Sequence, residues 1–139
     1  MGSEMCIRDR YSFTVRTACI LDLVHEGDEV GFCYMGSNYQ YICIKKLNGQ
    51  NHLLLRQGYF NQDNDIVLFD SIYKGYEIEF MMKYSGPDTY QLGFNKSYLK
   101  HKFTACPGRW IGGKYGIYAR GLKTGGKAIF KYFTVKRVK

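Results

Sequence analysis

The sequence is short of most features that would give it a chemistry of its own. It has no C-x-x-C pair among its 5 cysteines, and its 3 histidines are scattered, so a structural zinc site is not expected. No apolar run approaches bilayer-spanning length and no signal peptide is visible, so no membrane partner is expected. Helical periodicity is nearly missing, and there is no internal repeat, low-complexity segment or domain linker. Only 2 prolines occur, against 16 glycines, 13 tyrosines and 9 phenylalanines, a composition of short strands joined by tight turns.

The first ten residues read as a non-native leader. The translation that would give Met5-Cys6-Ile7-Arg8-Asp9-Arg10 resembles that of a transposon end left in sequencing libraries, so these residues read as adapter. On this reading residues 11–139 form one domain, the natural chain enters in mid-domain near Tyr11, and Cys19, Cys33, Cys43 and Cys106 are the native cysteines. Cys33 and Cys43 could face each other across a hairpin, bonded or not. The net charge of +8 survives the trimming, because Arg8 and Arg10 cancel Glu4 and Asp9. Its lysines are dispersed as on a solvated surface, without a zinc-finger, helix-turn-helix or RNA-recognition signature, so no nucleic acid is expected as a partner.

Period-two alternation places the strands. Phe13 and Val15 oppose Thr14 and Arg16, and runs at 30–35 and 39–45 bracket Gly36-Ser37-Asn38 as a hairpin. Asn48-Gly49 marks a second hairpin. Residues 66–69 and 76–84 follow, the latter with Tyr76, Ile78, Phe80 and Met82 on one face, Glu77, Glu79 and Lys83 on the other, and Met81 as the exception. Ser85-Gly86-Pro87-Asp88 is a turn, 89–94 a short strand, and 114–119 and 128–135 close the chain. About nine strands without helices predict an all-β, antiparallel two-sheet sandwich or barrel.

Candidate chemistry is thin. Glu77 and Glu79 share a strand face as glycosidase carboxylates would, but Lys83 stands where a third carboxylate belongs, so a solvated face is favoured. No nucleophile has a base in a recognisable local pattern, and Gly112-Gly113-Lys114 and Gly125-Gly126-Lys127 lack the rest of a phosphate loop. Asp63, Asn64 and Asp65 could offer oxygens to calcium, without the glycine and distal glutamate of a calcium loop. Aromatic side chains stack on sugars, and Tyr59, Phe60, Tyr98 and Trp110 are the loop candidates for carbohydrate or interdomain contact; for Trp110 buried packing is the stronger reading.

Gly27-Asp28-Glu29-Val30-Gly31-Phe32-Cys33-Tyr34-Met35-Gly36, followed by Tyr39-Gln40-Tyr41-Ile42, resembles a hairpin in the C-terminal concanavalin-like sandwich of family 43 β-xylosidases and α-arabinofuranosidases. Phe103 to Tyr118, with Gly108-Arg109-Trp110-Ile111-Gly112-Gly113-Lys114 at its centre, resembles a second segment of that domain, and Gly126 to Phe133 its terminal strand. The likeness covers essentially residues 11–138. It implies a concanavalin-like jelly roll lacking one or more opening strands, hence an unpaired edge, some core open to water and poor solubility.

The resemblance also implies a non-catalytic domain of a xylan- or arabinan-degrading enzyme. The catalytic carboxylates would lie on an N-terminal propeller that is the partner of this sandwich, and a sandwich loop would reach the rim of the active site. No cofactor is implied: Ile129 and Lys131 stand where the family carries acidic residues, which argues against a calcium there. The competing reading is an autonomous carbohydrate-binding module, with pentose-containing polysaccharide as its ligand.

Overall fold

The computed structural model describes residues 12–35, 38–59, 65–85, 89–104, 114–121 and 127–138. Its ten strands are β1 (Ser12–Asp22), β2 (Glu29–Met35), β3 (Asn38–Leu47), β4 (Gln50–Tyr59), β5 (Ile66–Ile72), β6 (Glu77–Ser85), β7 (Thr89–Phe94), β8 (Ser97–Thr104), β9 (Lys114–Arg120) and β10 (Lys127–Val138). They form two five-stranded antiparallel sheets, ordered β10-β1-β6-β7-β8 and β5-β4-β3-β2-β9. The fold is therefore the all-β sandwich that the alternation predicts. No helix among the described residues is long and apolar enough to cross a membrane.

Inward side chains from both sheets make one core. Val15 and Cys19 of β1 and Ile78, Phe80 and Met82 of β6 meet Val30 and Phe32 of β2, Ile42 and Ile44 of β3, and Leu53 and Leu55 of β4, all at most 1% exposed. Burial of large apolar side chains, at roughly 1.5–3 kcal/mol each, is the main force holding the layers together. Tyr34 and Tyr90 stack across the layers with ring centroids 3.7 Å apart.

Every strand runs between the same two ends. At the entry pole lie Ser12, Met35, Asn38, Tyr59, Ser85, Thr104, Lys114 and Val138; at the far pole lie the connections at 23–28, 48–49, 73–76, 95–96 and 121. The Asn48-Gly49 turn has φ of 53° and 76°, the two left-handed residues that a tight hairpin matching the strand twist requires. The neighbouring Glu26 carboxylate accepts from Asn48 N at 2.6 Å and Gly49 N at 3.2 Å.

The structure corrects the sequence reading at several points. β8 is an additional strand: its turn, Asn95-Lys96, has φ of 47° and 75° with no glycine. Tyr76 does not belong to the inner face of β6. It precedes the strand, its carbonyl accepts from Leu21 N at 2.8 Å, and its side chain is 78% exposed. Met81, on the outer face, is 1% exposed because it sits in register between Arg16 and Gly93. Cys33 and Cys43 are not opposite one another: Cys33 pairs with Tyr41, Cys43 with Gly31, and both thiols are free. The turn residues Gly36-Ser37 and Gly86-Pro87-Asp88, the Gly112-Gly113 and Gly125-Gly126 pairs, and Cys106 lie outside the described residues.

In β10 neither alternate set of residues is uniformly apolar, and the reason is a bulge. The register with β1 steps from Ala18/Tyr132 to Cys19/Phe130, leaving Lys131 extra. Ala128 and Phe130 thus face inward on one side of it, Phe133 and Val135 on the other.

Candidate functional site

The most organised polar cluster lies on the outer face of the β2/β3/β9 side of the second sheet. Glu29 of β2 stands directly opposite Lys45 of β3 and Arg120 of β9. Only 1% of its side chain is exposed, and it holds Arg120 Nε at 3.1 Å, Arg120 Nη2 at 3.0 Å and Lys45 Nζ at 3.8 Å. Tyr118 also donates its hydroxyl to the Glu29 carboxylate. Gly31 makes this possible: a Cβ there would stand 2.9 Å from the Tyr118 hydroxyl and 2.7 Å from Cys43 Cβ.

A second hub stands beside it. Asp65 accepts from Arg56 Nε at 2.8 Å, Tyr41 Oη at 2.9 Å and Tyr39 Oη at 3.4 Å. The Arg56 guanidinium lies 6.0 Å from the centre of the Tyr41 ring, and Tyr41 meets Tyr118 edge-on at 6.2 Å. Burial holds the Tyr118, Tyr41 and Cys43 protons well above their ordinary range, with Glu29 and Asp65 close by adding to it. For Arg120 and Arg56 burial pulls the other way, but their carboxylate partners more than offset it and both stay charged. These protons are locked in hydrogen bonds at neutral pH, which suits a scaffold better than acid–base exchange.

Sequence reasoning assigned no function to Glu29, Tyr41, Arg56, Tyr118 or Arg120. The available signal was the sharing of one outer face by aromatic and charged residues at spacing two, as in Tyr118 and Arg120. Asp65, considered there for calcium, is committed to Arg56 instead, and Asp63 and Asn64 lie outside the described residues. Among the described residues no three or more His, Cys, Asp or Glu side chains gather as metal ligands.

The Glu77 and Glu79 pair does point outward together, toward β10. Glu77 takes Lys131 at 3.1 Å and Glu79 takes the Tyr132 hydroxyl at 2.5 Å. Both carboxylates thus have local partners, as a solvated strand face provides.

Of the aromatic contact candidates, Tyr59 ends β4 at the entry pole and is 41% exposed. Tyr98 begins β8 at the far pole, on the outer face, with Lys83 Nζ 5.9 Å from its ring centre. Phe60 and Trp110 lie outside the described residues. At the far pole Leu23, Asp28, Glu29, Ala119, Arg120, Gly121, Lys127 and Ala128 line a pocket of ≈190 Å³. Its carboxylates are internally satisfied: Asp28 accepts from Val24 N at 3.1 Å and His25 N at 3.0 Å, which depresses its pKa.

Comparison with known proteins fits this geometry. No curated protein matches the chain. Among solved structures, a bifunctional GH43-CE protein from Bacteroides eggerthii superposes with a TM-score of 0.71 at 14% identity, over 90% of this chain and 17% of that one. A xylan β-1,4-xylosidase from Bacillus halodurans gives 0.71 at 16% identity, over 90% and 27%. An alginate lyase from Pseudomonas aeruginosa gives 0.61 at 17% identity, over 94% and 66%. At these identities the likeness is one of fold, and the chain spans about a quarter of the xylosidase's length. Residues 9–136 match the family described as the β-xylosidase C-terminal concanavalin A-like domain, and the chain belongs to that family.

Proposed function

We propose that this chain is the non-catalytic C-terminal sandwich of a family 43-like glycoside hydrolase acting on plant xylan- or arabinan-type polysaccharide. In this role residues 11–139 pack on an N-terminal catalytic propeller and lend a loop to the rim of its active site. The family match over residues 9–136 supports the reading most directly. It agrees with the carboxylates of the sandwich: Glu29, Asp65, Glu77 and Glu79 are each held by a cation or a tyrosine hydroxyl, not poised across a cleft. Tyr59, Phe60, Tyr98 and Trp110 are the candidates for contact with carbohydrate or with the propeller; of these Tyr59 is exposed at the end of β4 and Tyr98 has Lys83 Nζ 5.9 Å from its ring centre.

An autonomous carbohydrate-binding module would present a solvent-facing aromatic strip. Tyr39, Tyr41 and Tyr118 share an outer face, but Tyr41 is only 9% exposed and all three hydroxyls are engaged. The test is incubation of the chain with xylan, arabinoxylan and arabinan at low and high salt, following binding and released sugar together. Absence of hydrolysis with negligible binding is expected. Saturable, salt-independent binding lost on Tyr59→Ala would move the assignment to an autonomous module, and released pentose would end the non-catalytic reading.

A further inference from the structure

The cations of this chain are scattered in sequence, but the first sheet gathers three of them on its outer face. Lys136 of β10, Thr14 of β1, Lys83 of β6 and Gln91 of β7 stand side by side in register across four strands. Arg16 takes the next outward position of β1, opposite Thr134 on one side and Met81 on the other. Arg16, Lys83 and Lys136 are all exposed. Lys136 and Lys83, two strands apart, start about 10 Å from each other, and Arg16 leaves the strand between them about 7 Å further along.

Charge is segregated along this face. Toward the far pole stand its carboxylates, Glu77 held by Lys131 at 3.1 Å and Glu79 by the Tyr132 hydroxyl. Toward the entry pole, no outward carboxylate stands on β1, β6, β7 or β10 among the described residues. The ion pairs of the described residues belong to Lys45, His52, Arg56, Arg120 and Lys131, so Arg16, Lys83 and Lys136 have no carboxylate among them. Beside the cations lies the Tyr98 ring: Gly93, opposite it, carries no side chain, and Lys83 Nζ is 5.9 Å from the ring centre.

A sugar chain bearing carboxylates satisfies each part of this surface. The guanidinium and ammonium groups hold the carboxylates, the Thr14 hydroxyl and Gln91 amide between them can pair with sugar hydroxyls, and the Tyr98 ring offers a stacking surface. A duplex nucleic acid matches it less well. It carries one charge per about 1.7 Å of axis, far denser than three cations spread over about 10 Å. We propose that the entry-pole half of this face is an anchoring site for plant xylan bearing uronate side groups. The inference rests on reading the parent as a xylan- or arabinan-degrading enzyme, and makes the acidic side group, not the neutral backbone, the feature that this domain recognises.

The test is calorimetric titration of the whole chain with glucuronate-substituted xylo-oligosaccharides and with their unsubstituted counterparts, at low and high salt. Saturable binding of the substituted oligosaccharides alone is expected, weakened roughly tenfold or more by high salt. The triple variant Arg16→Gln, Lys83→Gln, Lys136→Gln should bind about tenfold or more weakly and remain folded by circular dichroism, because all three side chains are exposed. The control Lys74→Gln, Lys96→Gln, Lys127→Gln removes the same charge from exposed positions at the far pole and should bind like the parent. Unchanged binding by the first variant, an equal loss in the control, or equal affinity for unsubstituted oligosaccharides each overturns the site. Tighter binding of an oligodeoxynucleotide would overturn it in favour of nucleic acid. None of these failures touches the accessory-domain reading, which fails instead on released pentose or on salt-independent binding carried by Tyr59.

Discussion

Tyr118 reaches across the backbone of Gly31 to give its hydroxyl to Glu29, so one side chain of β9 closes over the central strand pair and seals a carboxylate from solvent. Removing the charge should therefore loosen the sheet. Glu29→Gln is expected to cost about 1–3 kcal/mol, read as a lower urea midpoint. The loss stays below that of a broken fully buried pair because Arg120, with 62% of its side chain exposed, can rehydrate. Tyr118→Phe should cost about 1 kcal/mol.

Gly31 is fixed by what surrounds it. An added Cβ would stand 2.4 Å from the Ile42 carbonyl oxygen, a backbone atom that cannot move aside. Gly31→Ala is expected to destabilise by about 1–3 kcal/mol through overpacking. Gly116→Ala, where nothing lies within 4 Å, serves as the control and should leave the urea midpoint within about 0.5 kcal/mol of the parent.

Glu26 links stability to acid pH. The backbone N–H groups of Asn48 and then Gly49 lower its pKa below the ordinary 4.5. Its contribution is therefore complete above 4.5 and is lost as pH falls through the depressed folded value. Thermal unfolding of Glu26→Gln should show a lower Tm than the parent at pH 7, with the gap closing as pH falls from 4.5 through the depressed folded value. A gap that stays constant with pH would mean the carboxylate does not hold the turn.

Burial pushes the Cys19 thiol up to about 11 and raises Cys43 further. Neither should be carbamidomethylated at pH 8 in the native state, while both react after unfolding. Peptide mapping after a short iodoacetamide pulse checks this. For Cys19 the unfolded thiol ionises first, so its contribution to stability is complete below about 9 and declines as pH rises toward 11.

Where a turn carried its own chemistry, the sequence was enough. Asn48-Gly49 is legible because glycine tolerates the positive φ without help from the rest of the fold. Asn95-Lys96 adopts the same backbone for a tertiary reason. Asn95 N donates to Glu79 O at 2.9 Å, its Oδ1 accepts from Glu79 N at 3.0 Å, and its Nδ2 donates to Tyr73 Oη at 2.8 Å. Those partners come from 16 and 22 residues away, so β8 was invisible to local reading.

The core face was legible in β1 and β6, where alternation is clean. The Glu29 and Asp65 clusters were not, because a buried carboxylate and an exposed one look alike until neighbouring strands are placed. Glu29 meets its partners through registers with two other strands, Lys45 on one side and Arg120 on the other. The family resemblance located the hairpin containing Glu29 without revealing that it organises the sheet.

Lys131 is the residue that β10 could most readily do without. Since Phe130 already pairs with Cys19 and Tyr132 with Ala18, excising position 131 would restore an uninterrupted ladder and leave every other side chain on its present face, at the loss of the contact with Glu77. Relatives one residue shorter at this point would keep the same architecture, and a gap there in an alignment would record the removal of a bulge and not a change in the order of the strands.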